Sequence, residues 1–539
     1  MIAADCWPCF SVNSLYSMFR VREGPFPKSR EEYFTVSPET KLQPGPAGRP
    51  DGAAPVPVSG ESPGPRFRSA ALADLMQSFR RQSVPVLAWK ARPGCTETFS
   101  GRGDTDLLVA AGQYERAAAL VRDCGFRQIR SSPWRAQPFV SDWFRVDPAI
   151  GSLIHVQLYE KLLLGSAFDA QIEVPGAQML FERVSEGCPH EPSAADAAVL
   201  RLCRASLARP WNPGRGARGL LAEALELARQ ASLPELEAAA ALFPPDTARV
   251  ILKSFSGAEL RGLRRQLGTH RSPLRAGGES LPSRILAGVA RWNRATLRLP
   301  VLSRRQLSRP APVIAVIGSD GSGKSTVARM LATTLHEKLD ARFCYFGTGD
   351  GPSSWYRKPL VVLKGLRSWA MKRAEPPQGN QGGSRDQVPG LARALWAVAV
   401  GMERSAKMKR VRRAAAAGWI VVTDRYPQIE IPGIHDGPRL NDWIEESGVR
   451  GFLSRWENKV YRSLADHRPS LVLHLAVSPE TAQRRRPQEN SDELVRRVEV
   501  AAKLRFGDCP RAVIDADQAL DEVFGTALET AFRHIAHGH

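Results

Sequence analysis

One run of eight residues carries the most specific chemistry in the chain: Gly318-Ser319-Asp320-Gly321-Ser322-Gly323-Lys324-Ser325, followed by Thr326. It fits the pattern G-x-x-x-x-G-K-[ST]. Glycines let a backbone take positive φ and close round an anion. The N–H groups of such a loop, with those of the helix behind it, face phosphate oxygens. Lys324 is then placed to reach the β- and γ-phosphates of a nucleoside triphosphate, and the Ser325 hydroxyl to ligate Mg²⁺. ATP and Mg²⁺ are the expected cofactors; a glycine-rich turn with no ligand is the bland alternative.

Three more groups could take part in chemistry. Thr423-Asp424-Arg425-Tyr426-Pro427 ends an apolar run. At the carboxyl edge of a strand, Asp424 could hold a Mg²⁺-bound water and Arg425 could clamp a second phosphate; an Asp-Arg surface turn is the alternative. Arg484, Arg485 and Arg486 are consecutive. An arginine there could neutralise charge developing on a transferred group; a solvated basic turn is the alternative. Asp104 and Asp106 stand two apart, so on a strand they share a face. Such a pair could share metal ions.

These residues need elements to position them. From residue 312 the pattern alternates strand and helix. Apolar runs at 313–317, 342–346, 419–423 and 471–477 read as buried strands, and 391–417 as a long helix stopped by Gly418. The expected architecture is α/β, a parallel sheet with helices on both faces. Residues 69–190 read as a smaller α/β unit. It has helices at 70–79 and 114–124, strands at 84–89 and 106–110, and a hairpin of 143–146 with 153–159. Residues 191–300 are Ala-, Leu- and Arg-rich and helical in pattern. Residues 301–311 read as a linker, which leads us to expect that 305–539 folds and binds ATP alone. Residues 1–68 are dense in Pro, Gly and Ser and read as a disordered tail, and 376–389 as a loop.

Composition bounds the partners. Lys plus Arg number 75 against 55 Asp plus Glu, a formal net charge of +20. No long basic block or basic-aromatic alternation occurs, so the charge reads as solvated and nucleic acid is not an expected partner. The eight cysteines are scattered, and Cys6 with Cys9 has no second pair for zinc. That usage fits a reducing cytoplasm. No apolar stretch is long enough for a membrane span, and no signal peptide is expected.

With these motifs in place, residues 312–535 resemble thymidylate kinase and its relatives among the nucleoside monophosphate kinases. The likeness rests on the P-loop with its internal Asp320, on Asp424-Arg425-Tyr426, on Leu471 to Ala482, and on Val513-Ile-Asp-Ala-Asp517. It implies transfer of the ATP γ-phosphoryl group to a nucleoside monophosphate, dTMP first. It implies that Asp320 contacts the acceptor's sugar and that Asp424 and Arg425 lie between the two phosphates. Gly321 stands where one subtype carries a catalytic arginine, so the resemblance implies a lid arginine among Arg484, Arg485 and Arg486. The chain departs from the family in having Ile317 before the first glycine and no evident aromatic partner for thymine. The acceptor is therefore a nucleotide or another small phosphorylated or hydroxylated molecule, and a homodimer is open.

The run Gly101 to Val109 resembles the acidic motif of nucleotidyltransferases, although His155 and Gln157 occupy the strand expected to supply a third acid, so an inert, structural or regulatory role stands beside catalysis for this unit. The pairing of two such units is similar in arrangement to bacterial proteins of polysaccharide biosynthesis. Two other functions stay open: an ATP-binding regulator or scaffold with weak turnover, and a nucleic-acid end-processing enzyme.

Overall fold

Ser69 opens the first helix, α1 (Ala70–Arg81), by accepting the N–H of Leu72 at 3.3 Å while its hydroxyl donates to Asp147 at 2.7 Å. Leu72, Leu75, Met76 and Phe79 recur at helical spacing and are buried. With α2 (Tyr114–Asp123) they cover one face of a five-stranded sheet. Its strands are β1 (Val86–Leu87), β2 (Asp104–Val109), β3 (Arg127–Gln128), β4 (Val140–Asp147) and β5 (Ser152–Tyr159), in the order β1-β2-β5-β4-β3. Only β2 and β5 pair in parallel; β4 and β5 form the hairpin that the sequence predicts, closed over Pro148–Ile150 with Gly151 at φ +58°.

The computed structural model describes residues 69–93, 99–101, 103–132, 135–165, 172–183, 191–207, 215–257, 260–270, 289, 292, 303–307, 309–347 and 390–537. The expected tail at 1–68, the loop at 376–389, and Cys6, Cys9, Cys95 and Cys188 lie outside them. The described residues belong to one compact unit, Glu61–His539. After a short ribbon of β6 (Leu163–Leu164) and β7 (Ile172–Glu173) come α3 (Met179–Glu182), α4 (Ala194–Leu207), α5 (Arg215–Gln230), α6 (Leu233–Ala240), α7 (Pro245–Gly257) and α8 (Leu260–Leu267). They pack on Leu108 and Tyr159, at one end of the second face of the sheet.

The second sheet is built on β8 (Val313–Gly318), which leads through the P-loop into α9 (Lys324–Leu339) and β9 (Ala341–Tyr345). Then come α10 (Gly390–Ala416), β10 (Ile420–Asp424), α11 (Gly448–Ala465), β11 (Leu471–Ala476), α12 (Pro479–Arg485), α13 (Ser491–Lys503), β12 (Arg511–Asp515) and α14 (Leu520–His537). The order is β12-β11-β8-β10-β9 and every pair is parallel. β8 is central and apolar on both faces, as its sequence requires. The chain leaves β8 toward β9 on one side and β11 toward β12 on the other. The P-loop thus sits at the carboxyl edge where crossovers diverge, the usual ligand crevice of such sheets.

The two sheets share a core. Phe144, Val146 and Leu153 of the first lie in one buried cluster with Ile314, Val316, Leu331, Leu335, Phe524 and Leu528 of the second. Residues 303–307, expected as part of a linker, are bonded to both. Ser132 donates its N–H to Arg304 O at 2.9 Å, and Gln306 donates its N–H to Arg130 O at 2.8 Å. Arg305 pairs with Asp142 at 2.6 Å and Arg304 with Asp340 at 2.9 Å. The expectation that 305–539 is self-sufficient does not fit this packing, because cutting there uncovers the apolar surface that β4 and β5 bury.

Phe144 is fully buried in the shared core, so Phe144→Ala should cost about 3–5 kcal/mol. Chemical denaturation followed by circular dichroism should show one transition that moves as a whole. A second transition left in place by the substitution would mean that the two sheets fold independently.

Candidate active site

The P-loop is shaped by close contacts. At Gly318 an added Cβ would meet Ser322 Oγ at 2.5 Å and the Leu475 carbonyl oxygen at 2.7 Å. Gly321 has φ +85°, and a Cβ there would lie 3.1 Å from the carbonyl oxygen of Ala482 in α12. An arginine at that position, as in one kinase subtype, has neither the backbone conformation nor the room. The helix behind the loop, α9, begins at Gly323 with no side-chain cap and no acid in its first turn. Its first N–H groups are left for an anion. Thr326 continues that turn, donating its N–H to Gly323 O at 3.0 Å.

Lys324 is 5% exposed. Its ammonium donates to Ser319 O at 3.0 Å and to Asp320 Oδ1 at 2.9 Å. Burial pulls its pKa below the usual lysine value, and the Arg425 charge adds to this. Arg425 leaves β10 in a left-handed conformation, φ +67°, and donates Nη2–H to the same Asp320 oxygen at 2.9 Å. A third cation, Arg497 of α13, reaches Asp320 Oδ2 at 2.8 Å. Burial opposes ionisation of Asp320, but Lys324, Arg425 and Arg497 hold its carboxyl far below the ordinary range. Cations from three elements thus converge where phosphate oxygens would lie.

Asp424, the last residue of β10, is buried, and neither of its carboxylate oxygens has a hydrogen-bond partner of normal geometry. The Ser325 hydroxyl is the neutral group beside it. Burial raises its pKa against the pull of Ser325, Lys324 and Arg425. Arg425 Nε is also buried without an acceptor, as is Ser322 Oγ without a partner. Buried polar groups are normally satisfied. Two open carboxylate oxygens beside a P-loop serine fit a divalent cation. Among the described residues no group of three or more His, Cys, Asp or Glu could hold a metal. A cation held here would take most of its ligands from phosphate and water, the habit of Mg²⁺.

The arginine triplet divides. Arg484 donates to Thr481 Oγ1 of its own helix at 3.0 Å. Arg485 donates to Gly321 O at 3.2 Å and Ala516 O at 3.0 Å, tying α12 to the P-loop and to the end of β12. Arg486 is the exposed C-cap of α12. The third cation on the P-loop acid comes not from the triplet but from Arg497, which the sequence reading missed. It lies in a charged helix with Glu493 one turn away, and that spacing is indistinguishable from a surface pair. His435 and Asp436 were missed as well, and both have positive φ, +45° and +66°. His435 donates Nε2–H to Arg497 O at 2.6 Å; Asp436 lies 3.7 Å from Arg425 and pairs with the buried Arg404. A cavity of about 10 Å³, room for about one water, lies beside Arg425, Tyr426, His435 and Phe506.

Asp104 and Asp106 share a face as expected, with a third acid supplied not by β5 but by Asp142 on β4. One oxygen of each of the first two is paired with groups of the chain itself. Asp104 Oδ1 meets His155 Nδ1 at 2.8 Å and Lys338 Nζ at 2.6 Å. Asp106 Oδ1 meets Lys90 Nζ at 2.5 Å and accepts from the Tyr159 hydroxyl at 2.8 Å. Asp142 meets His155 Nε2 at 2.8 Å and Arg305 at 2.6 Å. Burial works against Asp104 ionising, yet His155 and Lys338 hold its carboxyl far below the usual range. Three carboxylates thus face two lysines and an arginine, with His155 between Asp104 and Asp142. A metal ion at Asp104 and Asp106 would have to displace Lys338 and Lys90 from these oxygens.

No protein-family model matches the chain. The Escherichia coli K12 uncharacterized ATP-binding protein YghR is 30% identical over 218 residues, 40% of this chain and 84% of the relative. YghS of the same strain, also an uncharacterized ATP-binding protein, is 30% identical over 227 residues, 41% of this chain and 92% of the relative. Among solved structures, deoxyadenosine kinase from M. mycoides with bound dATP matches 41% of this chain and 99% of its own at 15% identity, with a TM-score of 0.23. With about a third of the aligned residues shared over most of the length of both E. coli proteins, the chain belongs to the family of YghR and YghS.

Proposed function

We propose that the chain binds Mg²⁺-ATP at the P-loop and transfers the γ-phosphoryl group to a small acceptor, as a kinase of the nucleoside monophosphate type. The observation that carries this reading is the buried Lys324 with Arg425 and Arg497 converging on one anion position, next to the open oxygens of Asp424. The ATP-binding descriptions of YghR and YghS support the donor. In the reaction an acceptor oxygen forms a bond to the γ-phosphorus as the bond from that phosphorus to the β–γ bridging oxygen breaks, and ADP leaves. Charge gathers on oxygens throughout, so fixed cations are the main catalytic resource. Lys324 serves the β- and γ-phosphates, Arg425 the acceptor phosphate, and Arg497 the side of the crevice facing α13. Ser325 and Asp424 would hold Mg²⁺, whose contribution is to neutralise charge across the phosphate oxygens. Asp320, released from its cations by phosphate, would be free to meet an acceptor hydroxyl. The resemblance to thymidylate kinase makes dTMP the first acceptor to test.

A second reading is an ATP-binding regulator with weak turnover, to which the ATP-binding descriptions of YghR and YghS apply equally well. A screen of nucleoside monophosphates and small hydroxylated acceptors with ATP separates the two: ATP binding without transfer to any acceptor would favour the regulator.

Lys324→Ala should lower ATP turnover by about 100-fold or more, the cost of losing one preorganised charge at a phosphoryl-transfer site. Unchanged turnover would remove the P-loop from the mechanism. Arg425→Ala should reduce transfer far more than ATP affinity, read by separate transfer and ATP-analogue titrations. Equal losses in both would make Arg425 a structural ion-pair partner.

Divalent binding distinguishes the two acidic sites. Mn²⁺ titration followed by electron paramagnetic resonance, in the presence of ADP, should show binding that Asp424→Asn weakens and that Asp104→Asn with Asp106→Asn leaves unchanged. Because burial raises the Asp424 carboxyl, protons should compete with the metal there at a higher pH than at an ordinary carboxylate. Binding lost in the Asp104/Asp106 variant instead would restore a metal site to the first sheet.

A further inference from the structure

Arg497 reaches the P-loop acid from an element that is neither the P-loop nor its neighbouring strand β10. It stands on α13, and its guanidinium spans Asp320 Oδ2 at 2.8 Å and Glu489 Oε2 at 3.4 Å, with Glu493 also paired to it. A long side chain on a half-exposed helix needs something to fix the helix against the crevice. Two features do this from the loop after Arg425. The first is the hydrogen bond from His435 Nε2–H to the main-chain oxygen of Arg497 itself, 2.6 Å. The second is the way in which His435 is held.

His435 and Asp436 are consecutive non-glycine residues in the left-handed region. That backbone persists only where its surroundings over-determine it, and it gathers at functional sites. The surroundings here are specific. Asp436 is gripped by the carboxylate-to-guanidinium pair with Arg404, whose Nη1–H also donates to Asp436 O at 3.0 Å. Arg404 is 1% exposed and donates to the Tyr461 hydroxyl of α11. From the other side, Gln428 Nε2–H donates to Ile431 O and Ile434 O at 2.7 Å, and its Oε1 accepts the Ile431 N–H at 2.8 Å. The turn therefore cannot relax without breaking a buried ion pair, and it presents the imidazole to α13 at one place. Burial lowers the pKa of the His435 ring against the pull of its bond to the Arg497 carbonyl oxygen, and the neutral ring can still keep Nε2–H as the donor that this oxygen accepts.

We propose that His435 is a positioning residue: anchored by the Arg404–Asp436 pair, it holds the Arg497 main chain so that the guanidinium points at the phosphates of the bound nucleotide. This rests on the P-loop reading above and adds to it the element that sets one of its cations.

The test is a double-mutant cycle on ATP affinity, measured by calorimetry on the full chain with non-hydrolysable ATP and Mg²⁺, so that no acceptor is needed. Arg497→Ala should weaken binding by about tenfold, the scale of one charge-assisted contact. His435→Ala removes no phosphate contact, yet it should weaken binding by a comparable factor. The double variant should be no worse than Arg497→Ala alone. His435→Gln, which keeps a donor, should recover most of the loss, and thermal melts should show His435→Ala still folded. Parent-like affinity in either single variant, or losses that multiply in the double variant, would overturn the proposal. So would a loss in His435→Ala that follows its melting temperature and is not recovered by Gln. Lys324→Ala separates this failure from that of the P-loop reading. If Lys324→Ala binds ATP as the parent does, the nucleotide site itself is wrong; if it loses binding while His435→Ala does not, only the positioning role falls.

Discussion

A buried ammonium group needs an anion, and Lys324 sets that requirement at the centre of this molecule. It is 5% exposed at the end of the central strand of a parallel sheet. Leaving such a charge unpaired costs far more than a single hydrogen bond returns. Much of the surrounding design answers it. The loop bends through glycines so that Ser319 O and Asp320 can reach the lysine. The α9 N-terminus carries no cap of its own. Asp320 then draws in Arg425 and Arg497, one from β10 and one from α13. The resulting constellation gathers three cations on one carboxylate, Asp320, with Asp424, Asp436 and Glu489 close around it.

The first sheet supports this arrangement from behind. Lys338, near the C-terminal end of α9, pairs with Asp104 of β2, and Asp340 at the helix C-cap pairs with Arg304. The helix that starts at Lys324 is therefore pinned at its far end to the first sheet. Phe144, Val146 and Leu153 pack under the same helix and against α14. The acids that could have made a second metal centre serve as ion-pair partners, and His155 stacks on Phe144 with ring centroids 4.4 Å apart. Fold likeness and site chemistry are separate questions.

Much of this was legible without coordinates. Continuous apolar runs marked β8, β10 and β11, because strands buried on both faces tolerate nothing else. Gly418 and the Pro-Ala-Ile-Gly turn marked the end of α10 and the β4–β5 hairpin. Lys324, Ser325, Asp424 and Arg425 were legible because each is tied by a few residues to the end of a strand. Sequence distance alone then decides where they go. Arg497, His435 and Asp436 were not legible. They meet through contacts spanning 62 and 177 residues, and their local spacing resembles that of ordinary surface charges.

The sequence by itself determined the phosphate-binding loop, the strands that carry it and the pair at the end of β10, because periodicity and glycine conformational freedom act over a few residues. Tertiary structure alone decided three things. Arg497 rather than the Arg484–Arg486 triplet faces the P-loop acid. Asp104 and Asp106 pair with Lys338 and Lys90. Residues 303–307 join two sheets instead of separating them. Each depends on which charges and apolar faces meet across long stretches of chain. Burial enforces those meetings through the cost of an unpaired charge or an uncovered core, and no local pattern records them.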